Sequence, residues 1–155
     1  MVALRYHNVY GPYMPRDTPY SGVAAMFRSA LESGIAPTVF EDGAQMRDFV
    51  HVDDVAVANR LALEAEHSGF AAFNVCSGVP ISILEVATAL AAECGGPSPV
   101  VTGQFRSGDV RHVVADPRRA ADVLGFRAKT QPLAGLASFA YDPLRDVTGT
   151  GPPRP

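Results

Sequence analysis

The residues best suited to chemistry are arginines set beside glycines and acids. Arg47 follows a turn in Gly43-Ala44-Gln45-Met46-Arg47-Asp48-Phe49, and Arg106-Ser107-Gly108-Asp109 places an arginine three residues before an aspartate in a glycine-containing loop. A guanidinium grips phosphate oxygens with two parallel N–H donors. A carboxylate suits a ribose, accepting protons from two neighbouring hydroxyls. With Asn8 at a strand end, Arg47, Arg106 and Asp109 could clamp a nucleotide diphosphate. Spacing alone does not separate that clamp from ordinary surface Arg–Asp pairs, which contribute little.

Other chemistries lack their residues. Neither G-x-G-x-x-G nor G-x-x-G-x-x-G occurs, so the loop that lets a backbone approach a dinucleotide pyrophosphate is missing from this sequence. Lys129 is the only lysine, and Gly125 lies four residues before it, so no Tyr-x-x-x-Lys pair exists. G-x-S-x-G and H-E-x-x-H are absent as well. His51-Val52-Asp53-Asp54 reads as a packed strand residue followed by a helix cap, and no metal site is expected. Cys76 and Cys94 match neither a redox pair nor a zinc spacing, and read as reduced thiols. A net charge of −3 argues against coating nucleic acid. No apolar run approaches the ~18 residues of a bilayer span, and the N-terminus lacks a signal-peptide core. The expectation is a cytoplasmic protein with no nucleic-acid or membrane partner.

The elements that must position these residues follow from the punctuation of the chain. Val2 to Val9 reads as one buried strand closed by Tyr10-Gly11-Pro12, and Pro15 and Pro19 make the next stretch a loop. Ser21 is placed to cap a helix with Val23, Met26, Phe27, Ala30 and Leu31 on one face, stopped by Gly34 and Pro37. Thr38-Val39-Phe40 reads as a short strand, Glu41-Asp42-Gly43 as a turn and Phe49 to Val52 as extended chain. Asp53 then caps a helix, with Val55, Ala58, Leu61, Ala62 and Ala65 on its inner face.

Ala71 to Val75 is another buried strand. Ser82 and Glu85 form a capping box for a helix that runs to about Cys94. Val100-Val101 starts the last expected strand. Asp116 as N-cap and Pro117 at the first helical position open a helix ending at Gly125, and Pro132 opens a final helix over Leu133, Leu136 and Phe139. Residues 1–147 read as one α/β unit with at least partly parallel strands, and residues 148–155 as a Gly/Pro-rich tail.

Four segments carry a resemblance. Ala3 to Pro12 (ALRYHNVYGP) resembles the strand and turn that follow the catalytic helix in extended short-chain dehydrogenases/reductases acting on nucleotide sugars. Val39-Phe40 through Arg47 to Val55 is similar to that family's next signature. Phe73-Asn74-Val75 with Ser77-Gly78 and the Ser82–Glu85 cap is similar to a third, and Arg106 to Arg111 with Ala115-Asp116 to a fourth. They occur in the family's order and span about residues 2 to 140.

The resemblance implies the C-terminal part of a Rossmann-type extended short-chain dehydrogenase fold, lacking the N-terminal dinucleotide-binding βαβ units. It places Asn8 on the substrate diphosphate and His7, mostly through its backbone, at the nicotinamide end of NAD. Thr38, Val39 and Phe40 would lie along the base, Arg47 and Arg106 at the phosphates and Asp109 at the ribose. Phe40 reads equally as a core aromatic and His7 as a polar strand end, while Arg5 and Tyr10 read as structural.

In the family a tyrosine base and NAD oxidise a sugar hydroxyl, and return of hydride to the rotated keto-sugar inverts the carbon. The tyrosine, lysine, Ser/Thr partner and glycine-rich loop all precede the segment that Leu4-Arg5-Tyr6 resembles. The expectation is therefore a substrate-binding segment of an NAD-dependent nucleotide-sugar epimerase/dehydratase, taking a UDP- or dTDP-hexose, with 4-epimerisation the first choice. On its own it would have no catalytic residue and no tight NAD binding. Family members dimerise through helices outside this segment, so no homodimer is inferred. The alternatives are a non-catalytic nucleotide-diphosphate-binding module and a truncated, inactive gene product.

Overall fold

The computed structural model describes residues 1–16, 18, 21–66, 68–105 and 107–145. The expected tail, residues 148–155, lies outside them. The first apolar segment is two strands rather than one: β1 (Val2–Tyr6) and β2 (Asn8–Tyr10). β1 runs parallel to β5 (Ala71–Val75), with Leu4 opposite Phe73 and Tyr6 opposite Val75. β2 runs parallel to β4 (Met46–His51), with Asn8 opposite Phe49 and Tyr10 opposite His51. His7 is the switch: its N–H still donates to the Val75 carbonyl at 3.1 Å, and the next residue pairs with the other neighbour. Polar residues, His7 and Asn8, lie at the break, but a polar pair within an apolar run does not by itself mark a change of strand neighbour.

β4 is shared. Its first residues run antiparallel to β6 (Pro80–Ser82) and parallel to β8 (His112–Val113). β3 (Thr38–Val39) pairs in parallel with β7 (Val100–Val101). The helices are α1 (Val23–Glu32), α2 (Val52–Glu64), α3 (Ile83–Cys94), α4 (Arg118–Leu124) and α5 (Pro132–Phe139). This is the expected mixed α/β architecture, with parallel strands joined through helices as parallel pairing requires.

Alternation along β2 and β4 feeds two cores, because successive side chains point to opposite faces. Tyr10 and Phe49 join Phe27, Leu31, Leu90, Leu136 and Phe139 beneath α1, α3 and α5. Val9 and Val50 face Val55, Phe73, Val75, Leu124 and Phe126 beneath α2 and α4. Met26, expected on the inner face of α1, is instead exposed, and Ala24, Ala25 and Arg28 take the buried positions beside Phe27 and Leu31.

Three expected caps are corrected. The N-cap of α4 is Pro117 rather than Asp116, whose carboxylate accepts from the Arg118 N–H (2.9 Å). The N-cap of α1 is Gly22, with no side-chain cap. Ser21 instead closes the preceding loop, donating to the Pro15 carbonyl (2.8 Å) and accepting from the Thr18 N–H (2.9 Å). The N-cap of α2 is His51, whose Nδ1 accepts from the Asp53 N–H (3.3 Å), so Asp53 sits in the first turn and favours the helix through its charge. The capping box of α3 is present as expected: Ser82 Oγ accepts from the Glu85 N–H, and the Glu85 carboxylate accepts from the Ser82 N–H. Both cysteines are free, Cys76 in the core and Cys94 half-buried. Among the described residues no helix is long and apolar enough to cross a membrane.

Candidate functional site

A cavity of about 530 Å³ opens where β2, α1, β3 and β4 converge. Asn8 enters from β2, Ser21, Val23, Met26 and Phe27 from the start of α1, and Thr38 and Phe40 from β3 and its turn. Gln45 comes from the turn just before β4, Arg47 from the beginning of β4, Ile83 from the start of α3 and Asp109 from the loop before β8. Of the eight residues nominated from sequence, five thus share one wall: Asn8, Thr38, Phe40, Arg47 and Asp109.

Two others, Val39 and His7, do not. Val39 is 0% exposed and belongs to the core, because alternation along β3 turns its side chain away from Thr38 and Phe40. The Val39 side chain therefore packs in the core and does not line the cavity. His7 is not among the lining residues; its Nδ1 is buried and has no hydrogen-bond partner among the described residues. Arg106 lies outside the described residues.

The polar groups around the cavity are arranged by backbone as much as by charge. Arg47 donates to the carbonyls of Val110 (2.7 Å) and Arg111 (2.8 Å), as well as to that of Met46 (2.9 Å). Part of its guanidinium therefore holds the chain immediately after Asp109. Beside it, Asp48 is fully buried and points the other way, accepting from Ser77 N–H (2.6 Å), Ser77 Oγ (2.8 Å) and Gly78 N–H (2.9 Å). Gly78 is required there: its φ is +77°, and a Cβ would lie 2.9 Å from Pro117 Cγ.

Gln45 was not nominated from sequence. Its amide donates to the Phe40 carbonyl (3.1 Å), which ties the turn after β3 to the strand carrying Arg47. The available signal was its position two residues before Arg47, immediately before the strand that carries it. Ser21 and Thr18 were missed as cavity residues because a loop partnership between two hydroxyls has no periodicity to detect. No cluster of His, Cys, Asp or Glu among the described residues could hold a metal ion. Burial, with Asp48 reinforcing it, pushes the Cys76 thiol up to about 11, so it is not a reactive thiolate.

The cavity thus offers a guanidinium, a carboxylate, a carboxamide and an aromatic wall. That donor set suits a ligand combining an anionic group, hydroxyls and a flat ring. The profile of the NAD dependent epimerase/dehydratase family matches residues 1–76. A dTDP-L-rhamnose 4-epimerase of Burkholderia thailandensis is 42% identical over 137 residues, 88% of this chain and 38% of that protein. The chain belongs to the NAD dependent epimerase/dehydratase family.

Further relatives agree. A UDP-glucose 4-epimerase of Mycolicibacterium smegmatis is 39% identical over 84% of this chain and 41% of its own length. Among solved structures, the Thermotoga maritima UDP-glucose 4-epimerase with UDP-glucose superposes with a TM-score of 0.78 at 35% identity, covering 90% of this chain and 44% of that one. The Thermus thermophilus UDP-glucose 4-epimerase complexed with NAD gives 0.75 at 33% identity, covering 90% and 45%. The chain spans less than half the length of these epimerases. For NAD itself the residues present fit poorly: the sequence contains no glycine-rich pyrophosphate loop, and the residue nominated toward the cofactor is His7 alone.

Proposed function

We propose that the chain is the C-terminal, substrate-binding part of an NAD-dependent nucleotide-sugar 4-epimerase, and that its cavity takes a UDP- or dTDP-hexose. One observation carries this reading: Asn8, Thr38, Phe40, Arg47 and Asp109, distant in sequence, line a single cavity. In this reading Phe40 and Thr38 flank the base, Asp109 accepts from ribose hydroxyls, and Asn8 and Arg47 face the diphosphate. Arg106, nominated by its resemblance to the family pattern, would add a second cation at the phosphates. The likeness to 4-epimerases with UDP-glucose supports the substrate class. The fraction of their length that the chain spans supports its being one part of a larger enzyme.

The test is calorimetric titration of the chain with UDP-glucose and dTDP-glucose. Binding is expected for at least one of them. Asn8→Ala should weaken it by about tenfold, the scale of one lost hydrogen bond to a charged group. Titrations that give the same affinity for wild type and Asn8→Ala would remove Asn8 from the site. No binding of either sugar nucleotide would sink the reading.

A further inference from the structure

The segment between β7 and β8 brings Asp109 to the cavity wall, and it is pinned at both ends. At its start the Thr102 N–H donates to the Val39 carbonyl (3.0 Å), and the Glu41 N–H donates to the Gln104 carbonyl (2.7 Å). At its end Arg47 grips the carbonyls of Val110 and Arg111, and the Met46 N–H donates to His112 Nδ1 (3.3 Å). Between these anchors Gly108 has φ +91°, a conformation glycine adopts without strain, and it has no side chain with which to fix the backbone beside Asp109. Asp109 is therefore only as well placed as the anchors that follow it.

The last anchor is a side chain. Arg111 reaches back to two successive carboxylates, Glu41 (2.9 Å) and Asp42 (2.7 Å), on the turn that follows Phe40. An isolated exposed pair contributes little, but a guanidinium fork closed on two carboxylates fixes direction as well as distance. Arg111 is 47% exposed and is not among the cavity-lining residues. It joins the loop carrying Asp109 to the turn carrying Phe40 from outside.

We propose that Arg111 is a positioning residue for nucleotide binding, holding the Asp109 carboxylate at the cavity wall without touching the ligand. This rests on the reading of the cavity as a nucleotide-sugar site with Asp109 at the ribose. A positioning role differs from a general attraction between Arg111 and an anionic ligand. The first acts only through the ribose hydroxyls, and the second through the phosphates.

The experiment compares UDP with 2′,3′-dideoxy-UDP by calorimetry on the 155-residue chain, as wild type, Asp109→Ala, Arg111→Ala, Arg111→Lys and the Asp109→Ala/Arg111→Ala double variant. Wild type should bind UDP about tenfold more tightly than the dideoxy compound, the scale of a charge-assisted hydrogen bond. Each single variant should bring that ratio close to one while the dideoxy affinity stays put. Arg111→Lys keeps the charge but loses the fork, so it should behave like Arg111→Ala. The double variant should be no weaker than either parent. A proportional loss for both ligands, or a ratio left intact in the Arg111 variants, overturns the proposal while leaving the site reading standing. A wild-type chain that does not bind UDP overturns both.

Discussion

At the scale of single residues, the clearest division of labour is between Arg47 and Asp48. Adjacent side chains on β4 point to opposite faces, so Arg47 reaches the cavity while Asp48 is sealed beneath the turn at Ser77-Gly78. Three donors satisfy the Asp48 carboxylate, two of them backbone N–H groups with no other acceptor in that turn. Asp48→Ala should therefore cost about 3 kcal/mol, the range for orphaning buried donors of a charged acceptor. Urea unfolding followed by circular dichroism would measure it, and a loss below about 1 kcal/mol would show that water replaces the carboxylate. Arg47 and Asp109 were legible in the sequence as polar residues beside glycines. The carbonyls that Arg47 grips, on Val110 and Arg111, were not, because a backbone acceptor has no residue type to announce it.

At the scale of elements, local signals were readable where both partners lie within one turn. Ser82 and Glu85 are three residues apart, and each supplies what the other's backbone lacks. Ser82→Ala should lower stability by about 1 kcal/mol at neutral pH. Hydrogen bonds from Ser82 hold the Glu85 carboxyl below its ordinary value of 4.5. A lowered folded-state value means the contribution is present above about pH 4.5 and fades as pH falls through the lower folded value. Thermal melts of wild type and Ser82→Ala should thus differ most at pH 7 and less toward pH 3. There the bond from the Glu85 N–H to Ser82 Oγ remains and the bond from Ser82 Oγ to the Glu85 carboxylate is lost. A gap that does not narrow would show that the carboxylate contributes nothing. Ser21 and Asp53 resisted the same reasoning, because Ser and Asp serve loop turns and helix starts equally well. β6 and β8 were invisible for another reason. They are three and two residues long, and their pairing with β4 is decided by chain far away in sequence.

At the scale of the whole molecule, composition and fold meet at the cofactor. The two cores and the cavity are built within the described residues. The chemistry named by the family needs a dinucleotide whose phosphate loop the sequence does not contain. A helix-terminus cradle for a pyrophosphate requires glycines that let the backbone come close. No segment here has them at that spacing. The cavity depends on no such loop, since Asn8, Arg47 and Asp109 are each placed by β2, β4 and the loop before β8. Substrate and cofactor binding should therefore separate in this chain. Titrated side by side, UDP should bind at micromolar to millimolar concentration, and NAD should show no saturable heat at several times that level. The presence of NAD should leave UDP affinity unchanged, because a ligand with no site cannot couple to another. A micromolar affinity for NAD would overturn this separation and would require a dinucleotide cradle without the glycine-rich motif.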